Sequence, residues 1–263
     1  MNNQSERKVV IDCFPESVER YREDYAIVAI DVIRATTTAI TSVVMGQRCY
    51  PVPTLEDAQS LSTILHNPYL AGELGGNVPY GFDLNNSPAV MANGIDHGRP
   101  LILLSSSGTQ LIHNAQSGRH GTYIACFRNY KATAKYLSMQ NSNIAIIGAG
   151  TRGEFREEDQ MCCAWIAEFL IQSGFVPVDQ HTSEIVRRWS GATADACLIS
   201  NSVKYLRKSG QEKDLEFILS HVNDVNAAFK VTSKEVTMIP VSMDNSSSGK
   251  DEFAKHTINQ MRS

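Results

Sequence analysis

The chain has 263 residues, of which 42% are hydrophobic and 20% charged, and a formal net charge of -4. That composition can fill a core, so global disorder is excluded, and the acidic balance argues against nucleic acid as the main partner. Any anionic ligand has to be drawn by a local group of side chains, and no apolar run approaches the ~20 residues of a membrane helix.

Strand-like runs alternate with amphipathic stretches. In chain order, KVVIDCF (8–14) and YAIVAID (25–31) read as strands, the second running into a helix over 36–47. RCYPVP (48–53) leads into a helix over 54–66, and PLILLSS (100–106) into one over 109–118. GTYIACF (121–127) precedes a helix over 129–137, and NIAIIGA (143–149) a long one over 154–174. Alternation of this kind predicts an α/β fold with a largely parallel sheet covered on both faces. Beyond Ser173 the pattern turns helical over 183–191, 195–210 and 214–224, and EVTMIPV (235–241) is a late strand able to return to the sheet. We expect one domain over 1–245, with 174–245 as a candidate subdomain, and a flexible tail over 246–263.

The six cysteines (Cys13, Cys49, Cys126, Cys162, Cys163 and Cys197) show no CxxC and no paired zinc spacing. With the polar start MNNQSERKVV, they point to reduced thiols in a cytoplasm. Cys126 ends a strand beside Arg128 and Asn129, but no histidine is tied to it by pattern, so a buried structural thiol is the expectation.

Sheets of this class bind ligands where strand ends meet helix starts, and four such junctions are rich in polar residues. At the first, Asp31 ends a strand and Arg34 precedes Thr36, Thr37 and Thr38. One threonine suffices to cap a helix; three beside an arginine can also donate to phosphate oxygens. The alternative is a well-capped helix with an Asp31–Arg34 surface pair. At the second, Asn86 or Ser87 caps a helix opened by Pro88. The third, LILLSSSGTQLI, places Ser107, Gly108 and Thr109 where successive backbone N–H groups form an anion nest, without the spacing of a nucleotide P-loop. At the fourth, GAGTRG formally satisfies a dinucleotide fingerprint, yet Glu154, Glu157, Glu158 and Asp159 follow, offset only by Arg152 and Arg156. A helix terminus supplies roughly half a positive charge, which cannot hold those acids against a pyrophosphate. They make sense with a divalent cation between them and the ligand, and oxygen-only ligands point to Mg²⁺. The plain alternative is an acidic first turn that favours the helix dipole.

These pieces, DVIRATTT (31–38), GELGG (72–76), GFDLNNSP (81–88), SSSGT (105–109), the Asn129 region and GAGTRGEFREED (148–159), resemble 2-phosphosulfolactate phosphatase, the ComB family, in the family's own order over about residues 26–170. The resemblance implies a three-layer α/β/α fold, Mg²⁺, and hydrolysis of the phosphate ester of a sulfonated 2-hydroxy acid. Two positions depart from the family pattern, which usually has an arginine where this chain has Leu74 and an asparagine where it has Ser107.

On that footing Asp31, Glu158 and Asp159 are the expected metal ligands, with Glu157 in reserve, and Asp31, Arg34 and Glu158 the expected catalytic group. Thr36–Thr38, Gly108 and Thr109 would hold phosphate oxygens, with Arg128 and Arg152 for the acidic substituents and Asn86, Ser87, Ser107 and Asn129 also in the substrate site. The expected partners are a small phosphorylated molecule and, as an assembly, a second copy of the chain; neither nucleic acid nor a membrane is expected. Two rival functions are carried forward: a non-catalytic binder of a phosphorylated metabolite, and an NAD(P)-linked oxidoreductase using GAGTRG.

Overall fold

The computed structural model describes residues 6–140 and 142–242; the expected tail over 246–263 lies outside them. The strands, in chain order, are β1 (Lys8–Cys13), β2 (Tyr25–Ile30), β3 (Cys49–Val52), β4 (Tyr69–Gly72), β5 (Leu101–Leu104), β6 (Thr122–Ala125), β7 (Asn143–Gly148), β8 (Val176–Pro177), β9 (Ala227–Thr232) and β10 (Glu235–Pro240). The helices are α1 (Ala35–Val44), α2 (Leu55–Ser62), α3 (Pro88–Asn93), α4 (Gly108–Ala115), α5 (Tyr130–Ser138), α6 (Glu157–Gln172), α7 (Gln180–Trp189), α8 (Asn201–Lys208) and α9 (Glu212–Ser220).

Seven strands form the central sheet, in the order β10-β9-β6-β2-β7-β1-β8. β6, β2, β7, β1 and β8 run parallel, while β9 and β10 are antiparallel additions at one edge. β2 sits at the centre because its sequence suits no other place: Ile27, Val28, Ala29 and Ile30 are fully buried, which requires cover on both faces. Each such buried Val or Ile contributes roughly 1.5–3 kcal/mol relative to an exposed one. Helices flank the sheet, giving the three-layer α/β/α fold. α6 packs on β1 and β7 with α5 and α7 beside it, and α1 and α4 lie against β6 and β2.

RCYPVP and PLILLSS do not join the central sheet. They supply β3 and β5 of a separate parallel sheet, β3-β5-β4, whose third strand, Tyr69–Gly72, the alternation pattern did not reveal. α1 and α4 also contact β3, and α1 contacts β5, so both helices are packed between the two sheets. That position accounts for the burial of every residue from Ala35 to Ser42. The stretch read as one helix over 195–210 is instead a 3-10 turn (Ala194–Ile199) and α8, separated by Ser200, whose hydroxyl caps the Val203 N–H at 3.2 Å.

Among the described residues, no helix is long and apolar enough to cross a membrane.

Candidate active site

The C-terminal ends of β2 and β7 in the large sheet, and of β4 and β5 in the small one, open into a single cleft of about 500 Å³. β2 delivers Asp31 and Arg34, β4 delivers Glu73, β5 delivers Ser106 and Ser107, and the turn after β7 delivers Arg152 and Arg156. α8 contributes Asn201, Ser202 and Tyr205 to the remaining wall. A second groove, of about 590 Å³, mixes Lys131 with Glu168 and Asp195 around Tyr130 and Trp165 and has no arginine in its lining.

Asp31 is the pivot of the cleft. Its backbone carbonyl accepts from the Thr36 hydroxyl at 2.7 Å and from the Thr36 N–H at 3.0 Å, which fixes the turn into α1. Its carboxyl group lies against the start of α4: a Cβ built on Gly108 would overlap Asp31 Oδ2. Burial, reinforced by the charges of Glu73 and Glu158, pushes the Asp31 carboxyl up to about 7, with the Ala35 N–H and Arg34 pulling the other way.

Two more acids from the first turn of α6 close in from behind. Asp159 accepts from the Val32 N–H at 2.8 Å, joining α6 to the Asp31 turn. Its own carboxyl is raised well above the usual range by burial and by Asp31 and Glu158. Glu158 is likewise raised by burial, opposed by the Ser202 and Ser200 hydroxyls, and its Oε2 is sealed in the interior without a hydrogen-bond partner. Glu157, by contrast, is half-exposed.

Oxygen-only donors that raise one another's pKa suit a hard cation. Among the described residues, however, no three His, Cys, Asp or Glu side chains converge closely enough to hold a metal ion by themselves. That donor set fits a Mg²⁺ taken by one or two carboxylates and completed by water and ligand oxygens, the usual habit of this ion.

Arg34 is buried and partly engaged. Its Nη1 donates to Asp214 Oδ2 at 2.6 Å and to Gln211 Oε1, and its Nη2 to Asn85 Oδ1 at 3.3 Å. The expected alternative of an Asp31–Arg34 surface pair is therefore corrected: the ion-pair partner is Asp214, from α9, and both side chains are about 4% exposed.

Several expected site residues have structural duties instead. The Thr36 and Thr37 hydroxyls donate back to the carbonyls of Asp31 and Val32, and Thr38 Oγ1 is sealed away without a partner, so none of the three faces a ligand. Thr109 is knotted to Ser105 through three hydrogen bonds of 2.9–3.2 Å. Asn129 accepts from the Cys126 N–H at 3.0 Å and donates to Thr133 at 2.9 Å, and it is fully buried. Arg128 is bound bidentately by Asp224 at 2.6 and 3.1 Å and donates to Thr41, so it is not available for an acidic substituent. Ser87 does cap α3, accepting from the Val90 N–H, but its hydroxyl proton goes to Asp214 at 2.5 Å. Asn86 lines the cleft, buried, with its Oδ1 unpartnered. Exposed Arg152 lines it too, held at φ 52° in the turn before α6.

Glu73 was missed by reasoning from residue types. It accepts from the Ser106 N–H and the Gly76 N–H, each at 2.8 Å, and from the Ser106 hydroxyl at 3.0 Å. Its signal, a lone acid in GELGG, was present but carried no local chemistry. Asp214, Gln211 and Tyr205 were missed because they come from helices far along the chain. The Tyr205 hydroxyl donates to the Gly76 carbonyl at 2.6 Å, tying α8 to the GELGG turn. The dinucleotide reading of GAGTRG fails on burial: two carboxylates, Glu158 and Asp159, occupy the helix start that a pyrophosphate would need.

The family model described as 2-phosphosulpholactate phosphatase matches residues 13–231. A probable 2-phosphosulfolactate phosphatase of Deinococcus radiodurans is 34% identical over 212 residues, 79% of this chain and 86% of that protein. A probable 2-phosphosulfolactate phosphatase of Carboxydothermus hydrogenoformans is 36% identical over 167 residues, 63% of this chain and 68% of its own length. A third relative of that name, from Clostridium perfringens, is 27% identical over 219 residues. With a cleft of acids facing arginines and a family match over most of its length, the chain belongs to the 2-phosphosulpholactate phosphatase family.

Proposed function

We propose that this cleft hydrolyses the phosphate monoester of a small acidic 2-hydroxy acid, 2-phosphosulfolactate foremost, to sulfolactate and phosphate with Mg²⁺ as cofactor. The observation that carries the reading is the confrontation, in one cleft, of Asp31 and Glu73 with Arg34, Arg152 and Arg156. A tri-anionic substrate needs both poles: arginines to neutralise its charges, and acids that accept a cation beside the phosphate. The family membership supports the phosphatase chemistry, and the relatives' names support the substrate.

Asp31, backed by Glu158 and Asp159, would hold the Mg²⁺, which when bound supplies Lewis-acid activation of the phosphoryl group. With its carboxyl raised to about 7, Asp31 keeps a proton in much of the cation-free protein near neutrality and sheds it as positive charge arrives. Arg34, at the phosphate end, orients the oxygens so that positioning and charge lower the barrier. Arg152, exposed on the turn before α6, would neutralise an acidic substituent, while Arg156 beside it is paired with Glu154. The six free, buried cysteines suit a reducing cytoplasm, where we place the protein.

Phosphate release from a panel of phosphorylated 2-hydroxy acids, with and without a sulfonate, at several Mg²⁺ concentrations tests the reading. Mg²⁺-dependent turnover with preference for the sulfonated ester is expected; no release from any member at any concentration refutes it.

A further inference from the structure

The Arg34 guanidinium carries five N–H groups in a fixed fork. Both protons of Nη1 are taken, by Asp214 Oδ2 and Gln211 Oε1, and one proton of Nη2 by Asn85. Nε finds no partner among the described residues, yet it is not among the sealed unpartnered atoms, and Arg34 lines the cleft. The Nε/Nη2 edge is the one this chain uses elsewhere for two-point contacts: Arg128 binds Asp224 through it, and Arg48 binds Glu235 through it.

Asp214 is itself fully committed. Its Oδ1 accepts from the Ser87 hydroxyl at 2.5 Å and from the Ala89 N–H at 3.2 Å, while Oδ2 takes the arginine. The start of α3 and α9 thus hold one carboxylate rigid on two sides. We propose that Asp214, assisted by Gln211, is a positioning residue: it saturates Nη1 and turns the Nε/Nη2 edge of Arg34 toward the cleft as a bidentate seat for the phosphate. Arg34 makes the contact with the ligand; Asp214 acts through it. A rigid fork matched to two phosphate oxygens loses little freedom on binding, so its orientation counts for more than its charge alone.

This inference rests on the phosphatase reading, and the two can fail separately. Binding of inorganic phosphate, with Mg²⁺ present, is measured by calorimetry for the wild type, Asp214→Asn and Gln211→Ala, together with kcat and KM for the sulfonated ester. Asp214→Asn keeps the shape but removes the charge and one of two acceptor oxygens, so an NH2 faces either Arg34 Nη1 or the Ser87 and Ala89 donors. It is expected to weaken phosphate binding at least tenfold and to lower kcat more than it raises KM. Gln211→Ala, at the half-exposed helix cap, removes one acceptor and is expected to weaken binding about threefold with little change in Tm, which keeps the test open if Asp214→Asn fails to fold. Phosphate affinity unchanged or tighter in both variants, with only Tm lowered, overturns the positioning role and leaves the phosphatase reading standing. A wild type that binds no phosphate and turns over no ester overturns both.

Discussion

Gly108 and Asp31 are fitted face to face: the first residue of α4 has no room for a side chain because the Asp31 carboxyl occupies the space, with the Ala35 Cβ 2.8 Å from where a Cβ would stand. The backbone at Gly108 has an ordinary φ, so this glycine is required by close approach and not by conformation. Gly108→Ala must push α4 away from the acid. A loss of about 1–3 kcal/mol, typical of overpacking, and at least a hundredfold drop in turnover are expected, read by thermal denaturation and phosphate release. Near-normal activity would remove Asp31 from the reaction centre.

Asp31→Asn separates function from fold. Removing one of several crowded carboxylates relieves repulsion with Glu73 and Glu158, so the cation-free variant should melt at or above the wild-type temperature while Mg²⁺-dependent turnover falls by orders of magnitude. Unaltered turnover contradicts the assignment.

The same carboxyl predicts how stability tracks pH. Its proton is held more tightly in the folded chain, at about 7, than in the unfolded one, at 3.8. The folded state is therefore favoured below the lower value, and that contribution drains away as pH rises toward the upper one. Glu158 and Asp159, raised as well, act in the same sense, so cation-free wild type should melt several degrees lower at pH 8 than at pH 5, and Asp31→Asn should lose part of that slope. Glu235, held low by Arg48 and Tyr50, works in the opposite sense, but as a surface pair it contributes little. A slope of the same size in the variant would show that other groups set it.

Two arginines, both expected to bind substrate, should part company. Arg128→Ala strips a bidentate pair from Asp224, which stays about a third exposed and can take water, so the cost should be about 1.5–3 kcal/mol. Arg152→Ala removes an exposed side chain that lines the cleft, so Tm should hold while KM for the sulfonated ester rises about tenfold. Melting curves beside steady-state kinetics distinguish the two.

Burial raises all six thiols, Cys126 to about 11 and Cys197 to about 12. A native sample at pH 8 should hardly react with a thiol-specific disulfide reagent until denaturant is added. Rapid labelling of the folded protein would contradict this.

Much of this was legible in residue order, because strand-to-helix junctions announce themselves. Asp31, Glu158 and Asp159 lie at sites that local chemistry marks as crowded. What stayed hidden depends on tertiary contact. Thr36–Thr38 looked like a display of hydroxyls because sequence does not say that α1 is packed between two sheets, where a threonine serves its own backbone. Arg128 looked free because Asp224 is distant in the chain, and Glu73 looked idle because its partners, the Ser106 N–H and hydroxyl, arrive from another strand.

The sequence separation of 180 between Arg34 and Asp214 has a consequence for biosynthesis. As translation passes β7, the β2–α1 corner already exists, but its guanidinium lacks the Asp214 carboxylate and α8 has not arrived to wall the cleft. A chain cut short before α9 therefore keeps the parallel strands of the large sheet but lacks the carboxylate that holds Arg34.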